Sequence, residues 1–187
     1  MRRFRMFVVV YTFVISGLSG VQQASASPTC ESSLPVNIDA GILEPNVLAL
    51  LQRSETFHQQ CLRIAATPAL RVRLGVSTWV EPGGRAMTII NRYEAGAIRA
   101  EVTLLFAADY VELLAHEFEH ILEQVDGVNL REEVAVHRAW IMAGGAFETR
   151  RATAAGVLAR QQWDEALAAE AAQADGMKAP GRRHPIH

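Results

Sequence analysis

A chain of 187 residues, half of them hydrophobic and a fifth charged, carries enough apolar material for one domain with a core of its own, which argues against disorder as its main state. Its 18 Lys+Arg and 20 Asp+Glu leave a formal net charge of −2. No basic cluster lies in the body of the chain, so nucleic acid and anionic membrane are poor partners for it.

Residues 1–26 have the build of a secretory signal peptide. The start is basic (Arg2, Arg3, Arg5), an apolar run follows from Met6 to Leu18, and Ala24-Ser25-Ala26 is a small-x-small cleavage site. The run is short for a membrane span. The expectation is therefore an exported protein, periplasmic or secreted, with no stable span once the peptide is cleaved. Cleavage would leave 15 Lys+Arg against 20 Asp+Glu, a net charge of −5. The two cysteines, Cys30 and Cys61, suggest a disulfide in that compartment. It would tie the irregular lead segment 27–44 to the body and stabilise it by about 3 kcal/mol. Without a CxxC pairing, a zinc site built on these thiols is not expected.

From Pro45, "PNVLALLQRSETFHQQCLRIA" has apolar residues at helical spacing, with proline placed for a helix start. His58, alone beside Phe57, reads as a surface or core-edge residue. "LRVRLGVSTWV" then alternates Leu70, Val72, Leu74 and Val76 against polar or small neighbours, the pattern of a half-buried strand. "EPGG" makes a turn, and "RAMTIINRY" and "AIRAEVTLLF" are two more strands around Glu94-Ala95-Gly96. Shortest connections arrange these three as an antiparallel meander. Asp109 offers an N-cap with Glu112 three residues on, close to a capping box, and the helix it opens ends at Asp126-Gly127. "LREEVAVHRAWIMA" reads as a further helix stopped by Gly144-Gly145, and "AFETRRATAAGVLARQQWDEALAAEAAQ" as a long Ala-rich helix with Gly156 as a point of interruption. The expected fold is one α+β domain over 45–172: a helix, the meander, a central helix and C-terminal helices. A flexible tail, 173–187, ends it, with His184 and His187 structurally idle.

The chemistry concentrates in "LAHEFEHILEQVDG", Leu114 to Gly127. At 100° per residue, Tyr110, Val111, Leu114, Phe118, Ile121, Leu122 and Val125 fall on one arc; Glu112, His116, His120 and Glu123 fall on the opposite arc. His116 and His120 are four apart, so their rings stand on neighbouring turns and can share one ion. Glu117 projects beside that ion, where it can hold and deprotonate a bound water. These are the roles of the H-E-x-x-H motif, matched by His116-Glu117-Phe118-Glu119-His120. Zinc on neutral imidazoles lowers the pKa of its water to about 7. The competing reading is a solvated polar face with accidental histidines; the apolar opposite arc, the strands upstream and the expected export weigh against it.

Two histidines leave zinc one protein ligand short. The candidates are Glu123, Glu132, Glu133, His137 and Glu148. Glu123 sits about 4.5 Å along the axis beyond His120, so a supporting hydrogen bond to a ligating histidine suits it better. His137 would need the chain to fold straight back after Gly127. Glu132 and Glu133 lie close to the turn and have a helix-dipole explanation. Glu148 follows the Gly144-Gly145 break and would start a helix packing beneath the ion, although a first-turn glutamate also has a dipole explanation.

With these residues in view the chain resembles the gluzincin branch of the zincin metallopeptidases, in HEFEH, in the downstream glutamate and in strands leading into the metal helix. It is also similar to small exported bacterial HExxH proteins, through the segments His116–Gly127 and Phe147–Ala152. The resemblance covers roughly residues 45–160. It implies a zincin-like fold, His116, His120 and Glu148 as zinc ligands, Glu117 as catalytic base, and an edge strand that binds extended substrate. The metzincin third histidine is absent, and Tyr93, His137 and Arg150 are the candidates for stabilising an oxyanion. The expected function is a zinc-dependent metallopeptidase acting on a peptide or protein substrate. The alternatives are a catalytically silent secreted zinc-binding protein that presents its edge strand to a partner, and a secreted domain with no metal.

Overall fold

The computed structural model describes residues 33–80, 84–94, 96–106, 109–142 and 145–177. The expected signal peptide, Cys30 of the expected disulfide, and residues 178–187 of the expected tail lie outside the described residues.

The N-terminal helical pattern divides into α1 (Glu44–Arg53) and α2 (Glu55–Ala65). Ser54 separates them: its backbone is extended, and its hydroxyl caps α2 by accepting from the Phe57 N–H at 3.2 Å. Serine prefers this position because the cap satisfies an otherwise orphaned donor. Cys61, on α2, is fully buried. The lead segment is less irregular than expected. It contributes β1 (Ile38–Asp39), anchored where the Asn37 amide donates to the Ile64 carbonyl at 2.7 Å.

Strands β2 (Leu70–Ser77), β3 (Ala86–Arg92) and β4 (Ile98–Leu105) form where alternation places them, but their order corrects the meander. The sheet runs β1-β2-β4-β3, with β2 parallel to β4 and only β3 antiparallel to it. The architecture is therefore mixed α+β with a mixed sheet. The physical reason lies in side-chain character. β4 buries Ile98, Ala100, Val102 and Leu104 and suits a central position, whereas β3 carries Thr88, Asn91 and Arg92 and tolerates the edge.

Helix α3 (Tyr110–Val125) starts where the Asp109 carboxylate accepts from the Val111 N–H, and ends at Gly127 with φ +73°. Its arc Leu114, Phe118, Ile121 and Leu122 is completely buried, and Phe118 stacks on Phe57 of α2 at 4.9 Å. The next helix is shorter than expected. α4 spans only Leu130–Ala135, because His137 takes a left-handed conformation (φ +58°) and the chain turns into a hairpin, β5 (Ala139–Ile141) with β6 (Phe147–Thr149). Helix α5 (Arg150–Met177) begins after β6 and passes through Gly156 without interruption. Glycine is there for contact. A Cβ at 156 would lie 2.9 Å from the Glu112 carbonyl oxygen and 3.3 Å from the His116 Cβ. With the buried Ala152 and Ala159 it forms the small-residue face that brings α5 against α3.

Candidate metal centre

On α3 the i, i+4 spacing sets the His116 and His120 rings 4.9 Å apart and nearly perpendicular. Across from them β6 delivers Glu148, with Oε2 3.1 Å from His116 Nε2 and Oε1 3.8 Å from His120 Nε2. One ligand atom from each residue lies within 4.8 Å of the others, and among the described residues this is the group that could hold a metal ion. Tetrahedral ligands about 2.1 Å from zinc stand roughly 3.4 Å from one another, and the two observed separations bracket that value. Two imidazoles and a carboxylate fit a divalent ion; such a set serves zinc, copper, iron and nickel alike. Glu148 reaches the group from a strand, not from the first turn of a helix as expected, so the dipole explanation for it falls away.

Glu123 does not join the group. It is 2% exposed, with Oε2 3.0 Å from His120 Nδ1, and Oε1 accepts the Thr149 hydroxyl at 2.6 Å. Thr149 Oγ1 in turn accepts from the Ala152 N–H. The chain of bonds fixes the His120 ring and ties it to the residue after Glu148. With Nδ1 engaged, Nε2 is the nitrogen left for an ion.

The charges agree with this. Burial pulls the His120 pKa down, but the Glu123 hydrogen bond and the carboxylates of Glu117, Glu123 and Glu148 outweigh it and leave it raised. Burial pushes Glu148 up, and the bond to His116, the charge of both histidines and the Thr149 N–H leave it lowered. The pocket favours positive charge among its carboxylates, the setting a cation needs.

Glu117 occupies the β3 flank of α3. It is 6% exposed, and its Oε2 accepts the Thr88 hydroxyl at 2.5 Å. Glu119, on the α5 flank, is also buried and accepts from Gln60 (2.6 Å) and Arg151. Three consecutive acids of the motif helix are thus inside the molecule, each with a partner. A buried carboxylate is costly unless it is hydrogen-bonded; of these three, Glu123 is the one on the arc of His116 and His120, and at 2% exposed it is not solvated.

The other candidates lie elsewhere. Glu132 accepts from Asn129, and Glu133 is paired with Arg138, both glutamates lying within α4. His137 is exposed at the turn into β5. His58 stands 3.9 Å from Glu55 on α2. Tyr93 is half exposed beside the β3–β4 turn, and Arg150 is exposed at the start of α5, two residues after Glu148. Thr88 and Thr149 carry no signal in the sequence, and Gly156 reads there only as a point of interruption. Threonine in a strand and glycine in an Ala-rich helix each have ordinary explanations, and only the folded chain brings them to the histidines. Comparison of the chain with family models, curated proteins and solved structures finds no match.

Proposed function

We propose that this protein is a zinc-dependent peptide hydrolase in which His116, His120 and Glu148 hold the ion and Glu117 is the general base. The observation that carries the proposal is the buried Glu117 carboxylate, held at one oxygen by Thr88 and near enough for its charge to act on His120 of the three-donor group. When bound, the ion supplies Lewis acidity toward a water and toward the scissile carbonyl. Glu117 takes the proton of the attacking water at Oε1, the oxygen Thr88 leaves open, and returns it to the departing amine. Glu123 and Thr149 hold His120 in one orientation throughout. The peptide backbone lies along β3, whose outer side has no paired strand among the described residues and offers N–H and C=O groups to an extended chain. Export belongs to the same reading and rests on residues 1–26.

The test is Glu117→Gln in the purified mature chain. Zinc content should stay at the wild-type level, and peptide hydrolysis should fall by about 10²–10⁴-fold. A variant that cleaves as fast as wild type would refute the mechanism. A second reading, a silent zinc-binding protein that adds a partner strand to β3, is favoured by the exposed Ile89 on that strand (46%) and by the exposure of Tyr93. Stoichiometric zinc with no hydrolysis in the wild type would select it.

A further inference from the structure

The face of the sheet turned away from the helices carries a charge pattern that the metal centre does not use. Strand alternation puts Leu70, Val72, Ala100 and Val102 on the covered side, together with Thr88, which meets Glu117 of α3. Arg71 and Arg73 of β2 and Arg99 and Glu101 of β4 are exposed on the other side. With Asp39 of β1 they supply the charged lining of a cavity of about 290 Å³, at the small end of ligand-pocket volumes. The sheet stands between this cavity and the three-donor group.

The parallel register sets these charges in two rows. Asp39, Arg73 and Glu101 stand side by side on β1, β2 and β4, so one row alternates in sign. In the next row Arg71 stands directly beside Arg99. Neighbouring strands are about 4.8 Å apart, and like charges placed opposite one another destabilise a sheet. Arg71 is held in this position, since its Nη1 donates to the Pro68 and Leu70 carbonyls at 3.0 Å. Arg73 comes no closer to Asp39 than 3.9 Å. Among the described residues Arg99 and Glu101 have no hydrogen-bond or ion-pair partner, although both signs are at hand.

Two adjacent guanidiniums suit an oxyanion, which they bind through paired N–H donors. A plain anion would leave Glu101 unanswered two residues, or about 6.6 Å, along β4 from Arg99. A ligand with a carboxylate and an ammonium close together satisfies both signs, and an α-amino acid is the smallest of that kind. We propose that the open face of the sheet binds a free α-amino acid as its zwitterion, with the carboxylate on Arg71 and Arg99 and the ammonium on Glu101. This binding is independent of the hydrolase reading.

The experiment titrates L-alanine, L-alanine amide, N-acetyl-L-alanine and inorganic phosphate into the zinc-loaded chain, followed by NMR. L-alanine should bind about tenfold tighter than any of the other three. Arg99→Gln should bind alanine and its amide alike, and Glu101→Gln should bind alanine and N-acetylalanine alike. Both positions are on the surface, so both variants should fold with zinc content unchanged, which circular dichroism and metal analysis check. Arg99→Gln should melt no lower than wild type, because it removes a like charge from beside Arg71. A lower melting temperature would give Arg99 a structural role and overturn the assignment. Phosphate bound as tightly as alanine would make this a plain anion site and overturn it too. So would equal binding of alanine and its amide, or a preference for alanine that survives in both variants, because the zwitterion would then sit elsewhere.

Discussion

On the α5 flank of α3, Glu119 and Glu123 are locked by Arg151, Gln60 and Thr149, and Glu148, the third member of the donor group, comes from the strand that leads into α5. On the β3 flank, among the described residues, a single threonine hydroxyl holds Glu117 and the strand behind it is the edge of the sheet. One wall fixes ligands and the other leaves room. A metal site gains from rigid donors, whereas a base beside an incoming peptide must have access to what it deprotonates. The contrast implies that damage to the α5 wall appears first in metal content, and damage to the β3 wall first in turnover.

The sharpest test sits on the α5 wall. Glu148→Ala removes a donor and should purify largely metal-free. Glu123→Gln removes only a bond to His120 and should keep its metal with affinity lowered about 10–100-fold. Metal analysis and competition titration of the two variants side by side decide this. The reverse order would make Glu123 the third ligand.

Thr88→Val breaks the other wall. Valine keeps the shape and the strand preference but removes the hydroxyl that orients Glu117. A hydrogen bond to a charged group contributes about 1.5–3 kcal/mol. If half of that acts in the transition state, turnover should fall by about tenfold with metal content unchanged. Loss of metal in this variant would erase the distinction between the two walls.

The pieces legible in the sequence are those that local spacing determines. The i, i+4 histidines, the Asp109 cap, the left-handed Gly127 and the alternation of β2 and β4 all depend on neighbours within a few residues. Strand order was not legible, because the insertion of β4 between β2 and β3 is decided by which strand tolerates an edge. Neither was β6. "FET" reads as part of the Ala-rich helix after it, and only pairing with Ala139–Ile141 across the turn at Gly145 (φ +85°) makes it a strand. Gly156 looked like an interruption because its reason, the Glu112 carbonyl, is 44 positions away in the chain.

That last point gives a smaller test. In an isolated helix Gly→Ala gains about 1 kcal/mol. At 156 the added Cβ would meet a backbone oxygen at 2.9 Å, which cannot rotate away. Overpacking costs about 1–3 kcal/mol, so Gly156→Ala should be destabilised by roughly 1 kcal/mol in denaturant melts, the strain outweighing the propensity. His116 is the next neighbour, so metal affinity should weaken in parallel. A stabilised variant would mean that α5 stands off from the metal helix.

The smallest effect is expected where the α5 wall meets solvent, at Asp126, which bridges Arg63 of α2 (2.5 Å) and Arg151 of α5 (2.8 Å). Burial pushes its pKa up, but hydrogen bonds from Arg151 and Arg63, with their charges, outweigh it and leave it lowered. A lowered folded pKa means stability that is present above the unfolded value near 4 and is lost as pH falls through the folded value. The side chain is about a third exposed, and solvent screens both pairs. Asp126→Asn should therefore lose less than about 1 kcal/mol at pH 7. Its difference from wild type should shrink as pH drops below 4, once the wild-type carboxyl is itself protonated. Arg151 also holds Glu119, deep on the same wall, and that bond should persist in the variant and keep the metal in place. A difference from wild type that does not change between pH 7 and pH 3 would show that Asp126 acts through packing and not through its charge.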